Sequence, residues 1–131
     1  MNTRAADRFP HGQMPGSLEL AFVGDSVYDL YVRTMITATG GKIRDLHKKA
    51  VTLVNAHAQS EALIRIEDEL TEEEEAIVRR ARNTRQSPPK NADASEYHRA
   101  TALEALLGYL YLTEQRERLE FFLKRLTDIG G

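Results

Sequence analysis

Apolar residues recur at three- and four-residue spacing along almost the whole chain, and no convincing stretch alternates with period two. That period belongs to helices whose apolar stripe faces a neighbour, so the chain is confined to an all-α fold. Helix signals divide it. Pro15, Gly16 and Ser17 open a first helix that runs to about Ala38, and Gly40–Gly41 close it. The spacing of Ile43, Leu46, Ala50, Leu53 and Val54, then of Ala58, Ala62 and Leu63, predicts two helices broken near Asn55. Thr71 and Glu74 make a capping-box pattern ahead of a helix with acids in its first turn and arginines in its last. The run Glu72 to Glu75 reads as that helix's N-terminus facing water. "NTRQSPPKNADAS" is a loop, because Pro88–Pro89 and several turn formers interrupt the period. Asp93 or Ser95 caps a helix through "EYHRATALEALLGYLYL", and an amphipathic helix over roughly Glu114 to Thr127 follows. Residues 1–16 read as an N-terminal arm and 17–131 as a single helical-bundle domain.

Composition removes several chemistries. There are no cysteines, which excludes disulfides, thiolate zinc sites and cysteine nucleophiles. His11, His47, His57 and His98 are scattered, with no His pair at metal-binding spacing, which argues against zinc. No glycine-rich phosphate loop is present. No apolar run is long enough to cross a bilayer, so no membrane role is expected and the cytoplasm is the default compartment. The net charge of −2 gives no global attraction to nucleic acid, so any such partner needs a local basic patch.

Two acids stand out against this background. "LAFVGDSVYDLYV" is apolar on almost every side, yet Asp25 sits in its middle beside Gly24. Val23, Val27, Leu30 and Leu20 share one face of that helix, and Asp25 points away from them among Leu18, Ala21, Phe22, Tyr28, Asp29 and Val32. From Ala100 to Leu112, Glu104 is the only charged residue, with Ala100, Thr101, Gly108 and Tyr111 as its helical neighbours. Small residues beside each acid let the two helices approach closely. Crossing there brings two carboxylates together, and two close carboxylates repel unless a cation lies between them. Mg²⁺ favours such a site, a few carboxylates plus waters. Taken singly, each acid has a structural alternative, an exposed position or an arginine partner.

Charge is segregated along the chain. Glu61 to Glu75 holds eight acids and one arginine, whereas Ala76 to Ala100 holds six Arg/Lys against two acids. The second segment, with Arg79, Arg82, Arg85 and Lys90, suits a phosphate backbone, as does Lys48–Lys49 in "DLHKKA". A solvated helix end followed by a linker is the plainer reading.

"LAFVGDSVYDLYV" resembles the signature helix of ribonuclease III, and "TALEALLGYLYL" is similar to that family's second acidic helix. With "DLHKKA", "TEEEEAIVRRARN" and "PKNAD" in the same order, the chain is closest in pattern to the Mini-III subfamily, over roughly Ser17 to Leu126. The resemblance implies a helical endonuclease domain that forms a two-fold homodimer and hydrolyses double-stranded RNA with Mg²⁺. Mini-III proteins lack a separate double-stranded-RNA-binding domain, so the resemblance leads us to expect none here. It further implies maturation of the large-subunit ribosomal RNA precursor, with a ribosomal protein as a further candidate partner. Asp25 and Glu104 match the family's catalytic acids and metal ligands, and Thr101 is placed to reach the ion through a water. Full-length relatives carry further acids at the positions of Leu18, Ala21 and Thr101, so this chain is left with two matched carboxylates. The competing readings are a non-catalytic RNA-binding or ribosome-assembly module on the same fold, and a helical scaffold.

Overall fold

The computed structural model describes residues 13–127. Most of the expected arm, including His11, lies outside them; Met14 within it packs against the core. Six helices follow in order: α1 (Ser17–Thr37), α2 (Ile43–Leu53), α3 (Ala56–Ile66), α4 (Glu72–Arg82), α5 (Ala94–Leu112) and α6 (Arg116–Thr127). A 3₁₀ turn, Glu67–Glu69, joins α3 to α4 and was not legible in the periodicity. No strand occurs among the described residues.

Local chemistry explains the boundaries. Gly40 and Gly41 take positive φ values of 76° and 116°, which stops α1 one residue earlier than expected. Asn55 breaks the second segment by capping α3, its side chain accepting from the Ala58 amide at 2.8 Å. Asp93, rather than Ser95, caps α5 through the Glu96 amide. The expected start of the last helix at Glu114 is corrected to Arg116, because Glu114 adopts φ 57° and reverses the chain.

α5 is the axis of the fold. It is apolar nearly all round, and it packs against α1, α3, α4 and α6. Ala102, Leu103, Ala105, Leu106, Leu107 and Leu110 are completely buried in it. α1 lies along α5 more extensively than any other helix and contributes Leu20, Ala21, Tyr28, Val32 and Ile36 to the core. Tyr28 also ties α1 to α2, donating its hydroxyl to the Leu53 carbonyl at 3.3 Å.

The acidic run of α4 is not uniformly solvated. Glu74 is 2% exposed, whereas Glu72, Glu73 and Glu75 face water. The capping box forms as expected, and Arg118 of α6 adds a bidentate pair to the Glu74 carboxylate at 2.7 and 2.8 Å. Burial pushes the Glu74 carboxyl up, but the hydrogen bonds from Arg118 and Thr71 outweigh it and hold the group below its usual range. Arg118 lies 44 residues away in sequence, so no local pattern announced this pair.

Candidate active site

The crossing of α1 and α5 sets the geometry. Gly24 and Gly108 face each other's helix with no room for a side chain. A methyl at Gly24 would stand 1.7 Å from the Glu104 carbonyl oxygen, and one at Gly108 would stand 2.0 Å from the Leu20 carbonyl oxygen. The two backbones therefore touch, and the residues beside the contact are brought within reach of each other. Asp25 follows Gly24, Glu104 is one turn before Gly108, and their carboxyl groups come within hydrogen-bonding range.

The environments of the two acids differ, which corrects the expectation that Asp25 is embedded. Asp25 is exposed, and so are its neighbours Leu18 and Phe22, while Ala21, Tyr28 and Val32 turn into the core. The face assigned to Leu20, Val23, Val27 and Leu30 also divides, since Leu20 is buried and Leu30 is 68% exposed. Glu104 is the sunken member of the pair. Burial, then the adjacent Asp25, raises its carboxyl to about 8. Gln59 of α3 works against that shift, donating its Nε2 to Glu104 Oε2 at 3.3 Å. Among the described residues no lysine or arginine pairs with either acid, and Asp25 takes the exposed position that was its structural alternative.

This donor set fits a hard divalent cation. Two oxygen-donor carboxylates from rigid helices converge, desolvation and then the neighbouring Asp25 favour a proton on the half-buried Glu104, and a cation would displace that proton. A pH dependence follows. Glu104 is raised from 4.5 to about 8, so the folded state keeps a proton that the unfolded chain releases. Its contribution to metal-free stability is full below pH 4.5 and is lost as pH rises through about 8. Thermal unfolding of the metal-free protein across that range should show the decline, and Glu104→Gln should flatten it. A decline of equal slope in the variant would assign it to other groups.

Thr101 lies one turn before Glu104 and is buried. Its hydroxyl donates to the Tyr97 carbonyl at 2.9 Å and accepts from Gln86 Nε2 at 3.1 Å. One lone pair is left, so it can accept from a water but not donate to one. The Gln86 contact fastens the loop after α4 beside the acids, a link that sequence reasoning missed.

The basic candidates separate into groups. Arg79 and Arg82 line a cleft of about 610 Å³ between α4, the 3₁₀ turn and the start of α5. An adjoining cleft shares Arg82, Asn83 and His98 and adds Arg85. Acids reach this region too: Arg82 stands 3.9 Å from Glu67 and Arg79 stands 4.0 Å from Glu75. The segregation along the chain is therefore partly cancelled in space. Arg85 and Lys90 are exposed and make no ion pair among the described residues. Lys48 and Lys49 sit apart on α2, exposed, with Lys49 Nζ donating to Thr39 Oγ1 at 3.3 Å. His57 was scattered in sequence, but the fold places it against Glu96, with Glu61 alongside, and these three ligand-type atoms lie within 4.8 Å of one another.

A sequence profile of the ribonuclease III domain matches residues 18–115. The chain is 50% identical over 109 residues to a Mini-ribonuclease 3 of Thermoanaerobacter, covering 82% of this chain and 77% of that one. It is 42% identical over 113 residues to the Mini-ribonuclease 3 of Symbiobacterium thermophilum, covering 85% and 87% of the two chains. A crystal structure of a protein from Fusobacterium nucleatum superposes with a TM-score of 0.80 at 34% identity, over 86% of this chain and 92% of that one.

Proposed function

Since the chain belongs to the ribonuclease III family and is an endoribonuclease, we propose that it hydrolyses double-stranded RNA with Mg²⁺ as a two-fold dimer. The observation that carries this reading is the Asp25–Glu104 pair, two converging carboxylates with no cationic side chain paired to them among the described residues. Asp25 and Glu104 would hold the ion, which when bound supplies an activated water and offsets charge on the scissile phosphate. Asp25, being exposed, meets the substrate side, and Glu104, being sunken, anchors the site to the core. The reaction is hydrolysis, so the RNA's 2′-OH is not the nucleophile. The natural substrate we propose is the large-subunit ribosomal RNA precursor, in the cytoplasm, with a ribosomal protein as an accessory partner.

Duplex RNA is recognised by shape, through phosphates and 2′-OH groups. Arg79, Arg82, Arg85 and Lys90, together with Lys48 and Lys49, are proposed as the backbone contacts. Replacing Arg82 and Arg85 together by Gln should weaken duplex affinity by about tenfold at low salt and reduce the slope of log K against log salt by about one to two. Filter binding across a salt series measures both, and an unchanged affinity and slope would remove this segment from the interface.

The dimer rests on α1. Phe22 is 81% exposed and Leu18, four residues earlier on the same face, is 40% exposed. Large apolar side chains exposed together mark an association surface. Asp25 stands less than one turn beyond Phe22, so two copies joined here would set two sites near one seam. Phe22→Asp should convert the protein to a monomer in size-exclusion chromatography with light scattering. A variant that keeps the dimer mass would move the seam elsewhere.

One assay tests the function as a whole. A long RNA duplex is incubated with the protein in Mg²⁺ and in chelator. Metal-dependent cutting supports the nuclease. A shifted complex without cutting supports an RNA-binding module, and neither outcome leaves a scaffold.

A further inference from the structure

Four polar side chains are buried among the described residues: Gln59, Ser60, Glu74 and Thr101. Three have evident structural partners. Arg118 and Thr71 account for Glu74, Arg99 donates to Ser60 at 2.6 Å, and Gln86 and Tyr97 engage Thr101. Gln59 is the fourth, 4% exposed, and the partner its Nε2 finds is a carboxylate oxygen of Glu104. A leucine would fill this place in α3 without the cost of burying a carboxamide. The position therefore holds a side chain that serves Glu104 more than it serves packing.

We infer that Gln59 is a positioning residue for the divalent-ion site: its amide holds Glu104 Oε2, so that the carboxylate is presented toward Asp25. This rests on the reading of Asp25 and Glu104 as the ion's ligands. The residue type follows from charge. A carboxamide donates a hydrogen bond without adding charge. A lysine here would pair with Glu104 and take the place of the cation, and a glutamate would add a third negative group to an already repelling pair. Gln59 is also well placed to be rigid. His57 contacts Glu96 and Ser60 binds Arg99, so α3 is fastened to α5 by side chains on both sides of it. Replacing a residue that orients a metal ligand typically costs about 10- to 100-fold in metal affinity. With only two matched carboxylates, this site depends heavily on how well each is aimed.

The test replaces Gln59 by Leu and, as a closer match in shape, by Met. Mg²⁺ binding to the RNA-free protein is measured by titration calorimetry, beside the Mg²⁺ midpoint for duplex cleavage and the thermal midpoint. Both variants should bind Mg²⁺ about tenfold more weakly, and the cleavage midpoint should rise by the same factor. Duplex affinity without metal and the thermal midpoint should not fall. Wild-type Mg²⁺ affinity in a folded Leu or Met variant overturns the inference. A lowered thermal midpoint with Mg²⁺ affinity intact also overturns it, since that is what a purely structural amide would give. Wild-type protein that neither binds Mg²⁺ nor cuts duplex overturns the metal-site reading itself, and this inference with it.

Discussion

Glu104→Gln and Asp25→Asn should each reduce duplex cleavage by at least about 10³-fold while leaving duplex affinity within about threefold, a loss of roughly 4 kcal/mol of transition-state stabilisation. The asymmetry follows from the geometry. Both substitutions keep the size of the side chain and remove one of the two carboxylates proposed to hold the ion. Neither touches the exposed arginines and lysines proposed to hold the phosphates. Glu104→Gln carries a second expectation of opposite sign. The wild-type protein buries a carboxyl beside Asp25, and burial and repulsion raise it to about 8. A neutral amide removes that conflict, so at pH 8 the metal-free variant should unfold at a higher temperature than wild type. Catalytic sites commonly trade stability for activity in this way. Single-turnover cleavage, filter binding and thermal unfolding distinguish the cases. Wild-type cleavage in both variants would dismiss the metal site. Lost cleavage with a lowered thermal midpoint would mean that Glu104 is a structural residue.

The helices and most of their caps were legible because their causes are local. Thr71 and Glu74 are three residues apart, and the bonds that stop α2 and start α3 involve Asn55 and its immediate neighbours. The pairing of Asp25 with Glu104 was legible too, because each lies beside a glycine in a largely apolar stretch of its helix. What was not legible lies across helices. α1 carries apolar residues on both its core face and its exposed face, so periodicity could not say which side Asp25 shares, and the structure shows it facing out. Glu74 looked like one more acid in a solvated run, since Arg118 arrives from α6. Nothing in the sequence of α3 singled out Gln59, which is buried against α5 and meets Glu104 there. The basic and acidic blocks read as separate surfaces, yet Glu67 folds back to meet Arg82. The misses at Glu74, Gln59 and Arg82 are long-range contacts, and each determines the charge environment of a residue rather than the class of the fold.

Gly24→Ala and Gly108→Ala should be the most destabilising single-methyl changes in the molecule, and a test of the crossing on which the site depends. Two effects compete. Alanine is the better helix former by about 1 kcal/mol, which favours the variants. Against that, the new methyl at Gly24 lies 1.7 Å from the Glu104 carbonyl oxygen and 2.9 Å from the Gly108 nitrogen. These are backbone atoms, so no rotamer change relieves the overlap and the helices must move apart. Overpacking of this kind costs about 3 kcal/mol or more. The net loss should lower the thermal midpoint by roughly 10 °C. Gly24→Ala should also cost activity beyond its effect on stability, because the displaced atom belongs to Glu104 itself. Cleavage measured well below the unfolding temperature would show that excess. The Gly108 methyl presses on Leu20 instead, so its effect on activity should be smaller for a similar loss of stability. Since both methyls force the same two helices apart, the double variant should lose less than the sum of the singles. A thermal midpoint at or above wild type for Gly24→Ala would mean that α1 and α5 do not cross backbone to backbone. Asp25 and Glu104 would then have no reason to meet.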